Sequence, residues 1–200
     1  MWKKLLILPV LLIVVSWGVI PVYADEILDS INEAIEAYKE KEYAEAAESL
    51  DYAKQLIQQL RSENIMKFLP QALPGWESKT AETQSMGMLG GMSGVQKEYF
   101  KPGAGDQGRK RITINIMAES PMMQGMMAIF NPAYAGAQGG KLQKIKRNKA
   151  IVKYNPDSRR GEANVLVEKK YIVAIKGNSV DKKDLLDYAE AIDYRGLKDL

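Results

Sequence analysis

The chain contains neither cysteine nor histidine, and these two absences remove much of the usual chemistry of enzymes. Without a thiol there is no disulfide, no sulfur nucleophile and no cysteine for the lipid anchor of a bacterial lipoprotein. Without imidazole the histidine-dependent triads and nearly all zinc sites are gone. Paired carboxylates remain, but the acidic residues sit in lysine-rich, solvated contexts. No pair falls at a strand end flanked by aromatics, as a glycosidase would need. The expectation is that the protein is not an enzyme and carries no cofactor.

The N-terminus has the layout of a secretory signal. Met1-Trp2-Lys3-Lys4 supplies a positive start, Leu5 to Val15 an apolar stretch, and Val22-Tyr23-Ala24 a cleavage site before Asp25-Glu26. The apolar stretch is shorter than the roughly 20 residues of a membrane span, and Gly18 and Pro21 weaken a helix where an uncleaved anchor would need one. Residues 1–24 are therefore expected to be a cleaved signal peptide, with no transmembrane segment after cleavage. A periplasmic or secreted location follows from this reading.

From Asp25 to Pro74 there are 11 acidic and 5 basic residues, a net charge of −6; from Gly75 to Leu200 there are 14 and 21, a net charge of +7. Such a split suits an anionic partner on the basic half, or docking of one half on the other. No glycine or proline occurs from Asp25 to Leu69, and apolar residues recur at helical spacing. Ile27, Leu28, Ile31, Ala34, Ile35 and Tyr38 form one stripe. After Lys39-Glu40-Lys41-Glu42, a second runs through Tyr43, Ala46, Ala47, Leu50, Ala53, Ile57 and Leu60. Residues 25–69 thus read as a helical hairpin, closed by a linker at 70–75 where Pro70, Pro74 and Gly75 stop the helix. Ala34, Ala46 and Ala53, with Tyr43 opening the second helix and Leu50 between the later alanines, make residues 28–61 resemble a single tetratricopeptide-type repeat. Ser30 and Gln58 depart from that pattern, standing where it has a bulky residue and a proline. The resemblance implies a helix pair whose small residues permit close approach and whose outer face needs a neighbour.

Residues 76–200 read as an α+β domain. Val95–Phe100 and Arg111–Met117 alternate as strands, and Pro121 to about Ala137 suggests short helix broken at Asn131-Pro132. Strands follow near Leu142–Lys146, Lys149–Tyr154, Glu162–Glu168 and Tyr171–Lys176, then a helix from about Asp181 that buries Leu185, Ala189 and Ile192. The fold class is α+β: a helical hairpin, then an antiparallel sheet with a central and a C-terminal helix. Through Val95–Tyr99, Ile112–Ser120-Pro121, Lys149–Tyr154 and Leu185–Ile192, the order resembles the PsbP-type domains and their exported bacterial relatives. That resemblance implies a largely non-catalytic domain that binds other proteins or large assemblies.

Three motifs carry candidate chemistry. Gly103-Ala104-Gly105-Asp106-Gln107-Gly108 spells a dinucleotide-binding loop, but Arg109-Lys110-Arg111 leads directly into a strand, so a hairpin connection is expected. Eight of the ten methionines fall between Met86 and Met127. Of these, Met86, Met88, Met92, Met122, Met123, Met126 and Met127 are the candidate binding residues, either as an adaptable apolar surface or as soft thioether ligands for Cu(I); core filling is the plainer alternative. The third motif is Lys141 to Arg160, with Lys144, Lys146, Arg147 and Lys149 among its cations, which would suit an anionic partner or simply a solvated sheet face. Only Tyr154 offers stacking there, so nucleic acid is not expected. Together these features predict a non-enzymatic exported binding or adaptor protein engaging another protein of the cell envelope or an apolar ligand. A Met-based Cu(I)-binding periplasmic protein is the alternative.

Overall fold

The computed structural model describes residues 23–86, 92–102, 109–118 and 127–200. Residues 1–22 of the expected signal lie outside the described residues. The chain divides into two compact units, one ending at Lys54 and the other beginning at Gln55.

The first unit is a helical pair. Helix α1 (Tyr23–Glu40) has Asp25 and Glu26 in its first turn and Lys39 in its last, which complements the helix dipole. Helix α2 (Tyr43–Met66) starts after a two-residue break and continues past Lys54 into the second unit. The break is a Schellman turn: Lys41 takes φ 67°, Lys41 N donates to Tyr38 O at 3.2 Å and Glu42 N to Ala37 O at 2.9 Å.

The second unit is built on eight strands, β1 (Glu77–Ser78), β2 (Glu82–Met86), β3 (Met92–Phe100), β4 (Arg111–Met117), β5 (Lys141–Ile145), β6 (Asn148–Asn155), β7 (Arg160–Val167) and β8 (Tyr171–Asn178). All pairings are antiparallel, in the order β1-β3-β4-β8-β7-β6-β5, with β2 also pairing β3. A 3-10 turn (Met127–Phe130), α3 (Pro132–Ala137), α4 (Lys182–Ala191) and α5 (Tyr194–Asp199) complete it. This is the expected α+β architecture. The part of the central helical segment that is described matches its proline signal, because Asn131 caps α3 by accepting from Ala133 N at 3.0 Å just before Pro132.

The sheet is covered on both faces. Ile112, Ile114 and Ile116 of β4 turn to one face together with Val95, Tyr99, Val165, Val173 and Ile175, all fully buried. Leu185, Tyr188 and Ala189 of α4, Leu197 of α5, Ile65 from the end of α2 and Leu69 just beyond it pack in the same cluster. On the other face a smaller core joins Phe130, Ala135, Ile151 and Ile172, with Met117, Ile129 and Leu166 against it. Coverage on both sides is why Tyr171 to Ile175 is an unbroken buried run, where the flanking strands alternate.

Candidate functional site

In the first unit the helices meet through small residues. Ser30, Ala34, Ala37, Ala46 and Ala53 are buried, and the Ser30 hydroxyl is absorbed by its own helix, donating to Glu26 O at 2.9 Å. Several large residues of the expected stripes stand outside instead: Leu28 is 59% exposed, Ile35 46%, Tyr38 66%, Tyr43 61% and Leu50 54%, while Ile27, Ile31 and Leu60 are half-buried. At about 100° per residue, each set is offset in the same rotational sense from its helix's buried alanines. In an antiparallel pair, offsets of the same sense place both sets on one side of the hairpin. The rings of Tyr38 and Tyr43 meet there edge to face with centroids 5.8 Å apart. Among the described residues, seven of the ten exposed large apolar side chains belong to α1 and α2. Isolated exposed leucines are ordinary, but several large apolar residues exposed on one side of a helix pair are not. Its surroundings are acidic, since Asp25 to Lys54 holds 10 acidic and 3 basic residues.

The structure brings two of the candidate methionines into register: Met86 of β2 stands opposite Met92 of β3. Met127 opens the 3-10 turn on the smaller core's side of the sheet. Met88, Met122, Met123 and Met126 lie outside the described residues. Met117 is half-buried in the smaller core and fills space there. It also lines a cleft of about 420 Å³ between α3 and the sheet, with Ile129, Tyr134, Ile151 and Ala174 as apolar wall and Lys153 and Lys176 at its edge. The segment spelling G-x-G-x-x-G joins two paired strands, with Phe100 opposite Arg111 and Lys101 N donating to Lys110 O at 3.1 Å, so it is a hairpin connection.

A second group of residues escaped sequence reasoning because its members are far apart in the chain. Trp76 and Tyr99 both pack on the Tyr188 ring, at centroid distances of 5.1 and 4.6 Å. Lys101 caps Trp76 at 5.1 Å and reaches Asp184 at 3.6 Å. Lys110 bridges Asp181 at 2.9 Å and Asp184 at 3.4 Å, and Arg159 adds a 2.7 Å contact to Asp181. Hydrogen bonds from Lys110 and Arg159 hold the Asp181 carboxyl below the usual carboxylate range. Burial pushes the Tyr188 phenol up to about 12, and also raises Tyr99 and Tyr194. Each of the three hydroxyls is engaged. Tyr99 OH donates to Pro70 O at 2.8 Å and Tyr194 OH to Ala189 O at 2.7 Å, while Tyr188 OH accepts from Leu73 N at 3.3 Å. Tyr99 and Tyr188 thereby hold the 70–75 segment against the sheet. Among the described residues these polar groups form no pairing of nucleophile and base.

No protein-family model, no characterised protein and no solved structure matches this chain.

Proposed function

We propose that this is an exported, non-enzymatic binding or adaptor protein that engages another protein of the cell envelope through the apolar face of its α1–α2 hairpin. The observation that carries the reading is the inversion within the hairpin: alanines fill the crossing, and Leu28, Ile35, Tyr38, Tyr43 and Leu50 face outward. The acidic surround of this face favours a partner with an apolar helical surface and a basic rim. A photo-reactive residue placed at Ile35 in cells should crosslink to one envelope protein. Leu28→Ser/Ile35→Ser/Leu50→Ser should abolish that adduct while changing stability by less than about 0.5 kcal/mol per site, because the three side chains are exposed. An adduct that survives the triple substitution would remove the hairpin from the interface. Export is tested separately, with the isolated protein expected to begin at Asp25.

A second reading, Cu(I) held by thioethers, is supported by the placement of Met86 opposite Met92. Titration with Cu(I) under reducing conditions tests it. Absence of stoichiometric uptake by the wild-type chain ends that reading.

A further inference from the structure

The β5–β6 connection is a two-residue turn, with Ile145 paired to Asn148 and Lys146 and Arg147 between them at φ 43° and 70°. Positive φ at both positions is the geometry that Asn-Gly adopts with least strain, and long cationic side chains are poorly suited to it. The turn is nonetheless held firmly: Asn148 is buried, and its Nδ2 donates to Ile145 O at 3.4 Å and to Lys146 O at 3.1 Å. Two cations are thus fixed in a backbone conformation that disfavours them, and strain of this kind gathers at functional positions.

The fold sets this turn beside α5. Lys146, Arg147 and Asn148 line a pocket of about 520 Å³ together with Asp193, Arg195 and Lys198. Lys146 Nζ donates to Ile192 O at 3.5 Å, and Lys198 pairs with Glu168 at 2.8 Å. Asp193 Oδ1 accepts from Gly196 N at 3.0 Å, which occupies it as the cap of α5. Arg147 and Arg195 make no ion pair with any described residue. Four lining cations, set against Asp193 and the paired Glu168, leave two positive charges in excess.

A pocket lined by two exposed arginines that make no ion pair with a described residue, with an excess of two positive charges, complements a dianion better than a carboxylate. Planar guanidinium groups also match the paired oxygens of phosphate. We propose that this pocket binds a phosphomonoester, with Arg147 and Arg195 as its direct contacts and Lys146 and Lys198 as supporting charges. The site is separate from the hairpin face and does not depend on the reading given for that face.

The test is calorimetric titration of the full chain with glycerol 3-phosphate and, separately, with acetate, together with co-sedimentation on phosphatidylcholine vesicles with and without phosphatidic acid. Glycerol 3-phosphate is expected to bind at least about tenfold more tightly than acetate. Arg195→Gln, and separately Lys146→Asn/Arg147→Gly, should each weaken it about tenfold. The double substitution should also raise Tm, because it places the preferred residues in the turn, so that loss of binding is not a loss of fold. Lys141→Gln/Lys144→Gln removes two charges from the same strand outside the pocket and should leave affinity unchanged. Binding to phosphatidic acid vesicles that Arg195→Gln abolishes would support the proposal with a lipid headgroup as the source. Binding of glycerol 3-phosphate alone would support it with a soluble ligand. Equal affinity for acetate, an equal loss in the Lys141→Gln/Lys144→Gln control, or no binding to either phosphate probe would overturn it.

Discussion

Asp181 shows how single residues tie the second unit together. It sits just before α4, takes ion pairs from Lys110 and Arg159, and its backbone N–H donates to Asp184 Oδ2 at 3.3 Å. Its carboxyl is held below its ordinary value chiefly by the hydrogen bond from Lys110, then by that from Arg159. A carboxyl that is more acidic in the folded than in the unfolded chain stabilises the fold above the ordinary carboxylate pKa of about 4. That contribution is lost as pH falls through the folded-state value. Asp181→Asn should therefore lower Tm at neutral pH and narrow the gap to wild type as the pH is taken below about 4. The same Tm difference at both ends of that range would show that the pairs are too well solvated to contribute.

At the scale of elements, legibility followed the strength of the apolar signal. The strands from β3 to β8 were readable from apolar residues that either alternate, as in Ile112, Ile114 and Ile116, or run unbroken, as from Tyr171 to Ile175. Strands β1 and β2 were missed because Glu77-Ser78 and Glu82-Thr83-Gln84-Ser85 carry no apolar alternation; they form through backbone pairing along β3. Helix α5 was missed because it is only six residues long and contains Gly196. The hairpin misled in another way: periodicity placed Ala34, Ala46 and Ala53 in the same stripes as Leu28, Ile35, Tyr38, Tyr43 and Leu50, but close approach of two helices selects the alanines for the crossing and leaves those larger residues outside. The basic pocket was half readable: Lys146 and Arg147 belong to the cationic run that would suit an anionic partner, but Arg195 and Lys198 are brought beside them only by the fold. Glycine signals were partly readable. Gly139, at φ 72°, ends α3 in a Schellman turn, with Gly139 N donating to Gly136 O at 3.0 Å and Gly140 N to Ala135 O at 2.8 Å. A Cβ at Gly140 would stand 2.8 Å from Ile151 Cγ2 and 3.2 Å from Ala135 O. Gly140→Ala is therefore expected to force α3 away from the smaller core and to destabilise by about 1–3 kcal/mol, as overpacking does. Chemical denaturation measures this, and an unchanged midpoint would mean that α3 yields without loss.

At the scale of the whole chain, the position of the boundary decides which fragments fold. Prolines and a glycine suggest a division at 70–75, with a self-sufficient domain after it, whereas compactness places the division inside α2, after Lys54. The last part of α2 and the segment beyond it are built into the second unit. Ile65 and Leu69 are buried in its main core. Phe68 O accepts from Asp193 N at 3.2 Å, and Pro70 O accepts from Tyr99 OH at 2.8 Å and from Lys97 Nζ at 3.2 Å. A Cβ on Gly196 would come within 2.3 Å of Phe68 Cε1, so this ring lies directly on α5. Starting the chain at Gly75 removes two buried aliphatic side chains, each contributing about 1.5–3 kcal/mol, and strands the Tyr99 hydroxyl at a further cost of about 1–3 kcal/mol. Set against a domain stability of about 5–15 kcal/mol, the loss is a large fraction of the total. Gln55–Leu200 should accordingly unfold in one cooperative thermal transition, and Gly75–Leu200 should melt well below it or fail to fold. Circular dichroism melts of the two purified fragments at matched concentration measure the difference. Coincident transitions would show that the end of α2 covers the core without stabilising it, and would move the working boundary back to the prolines.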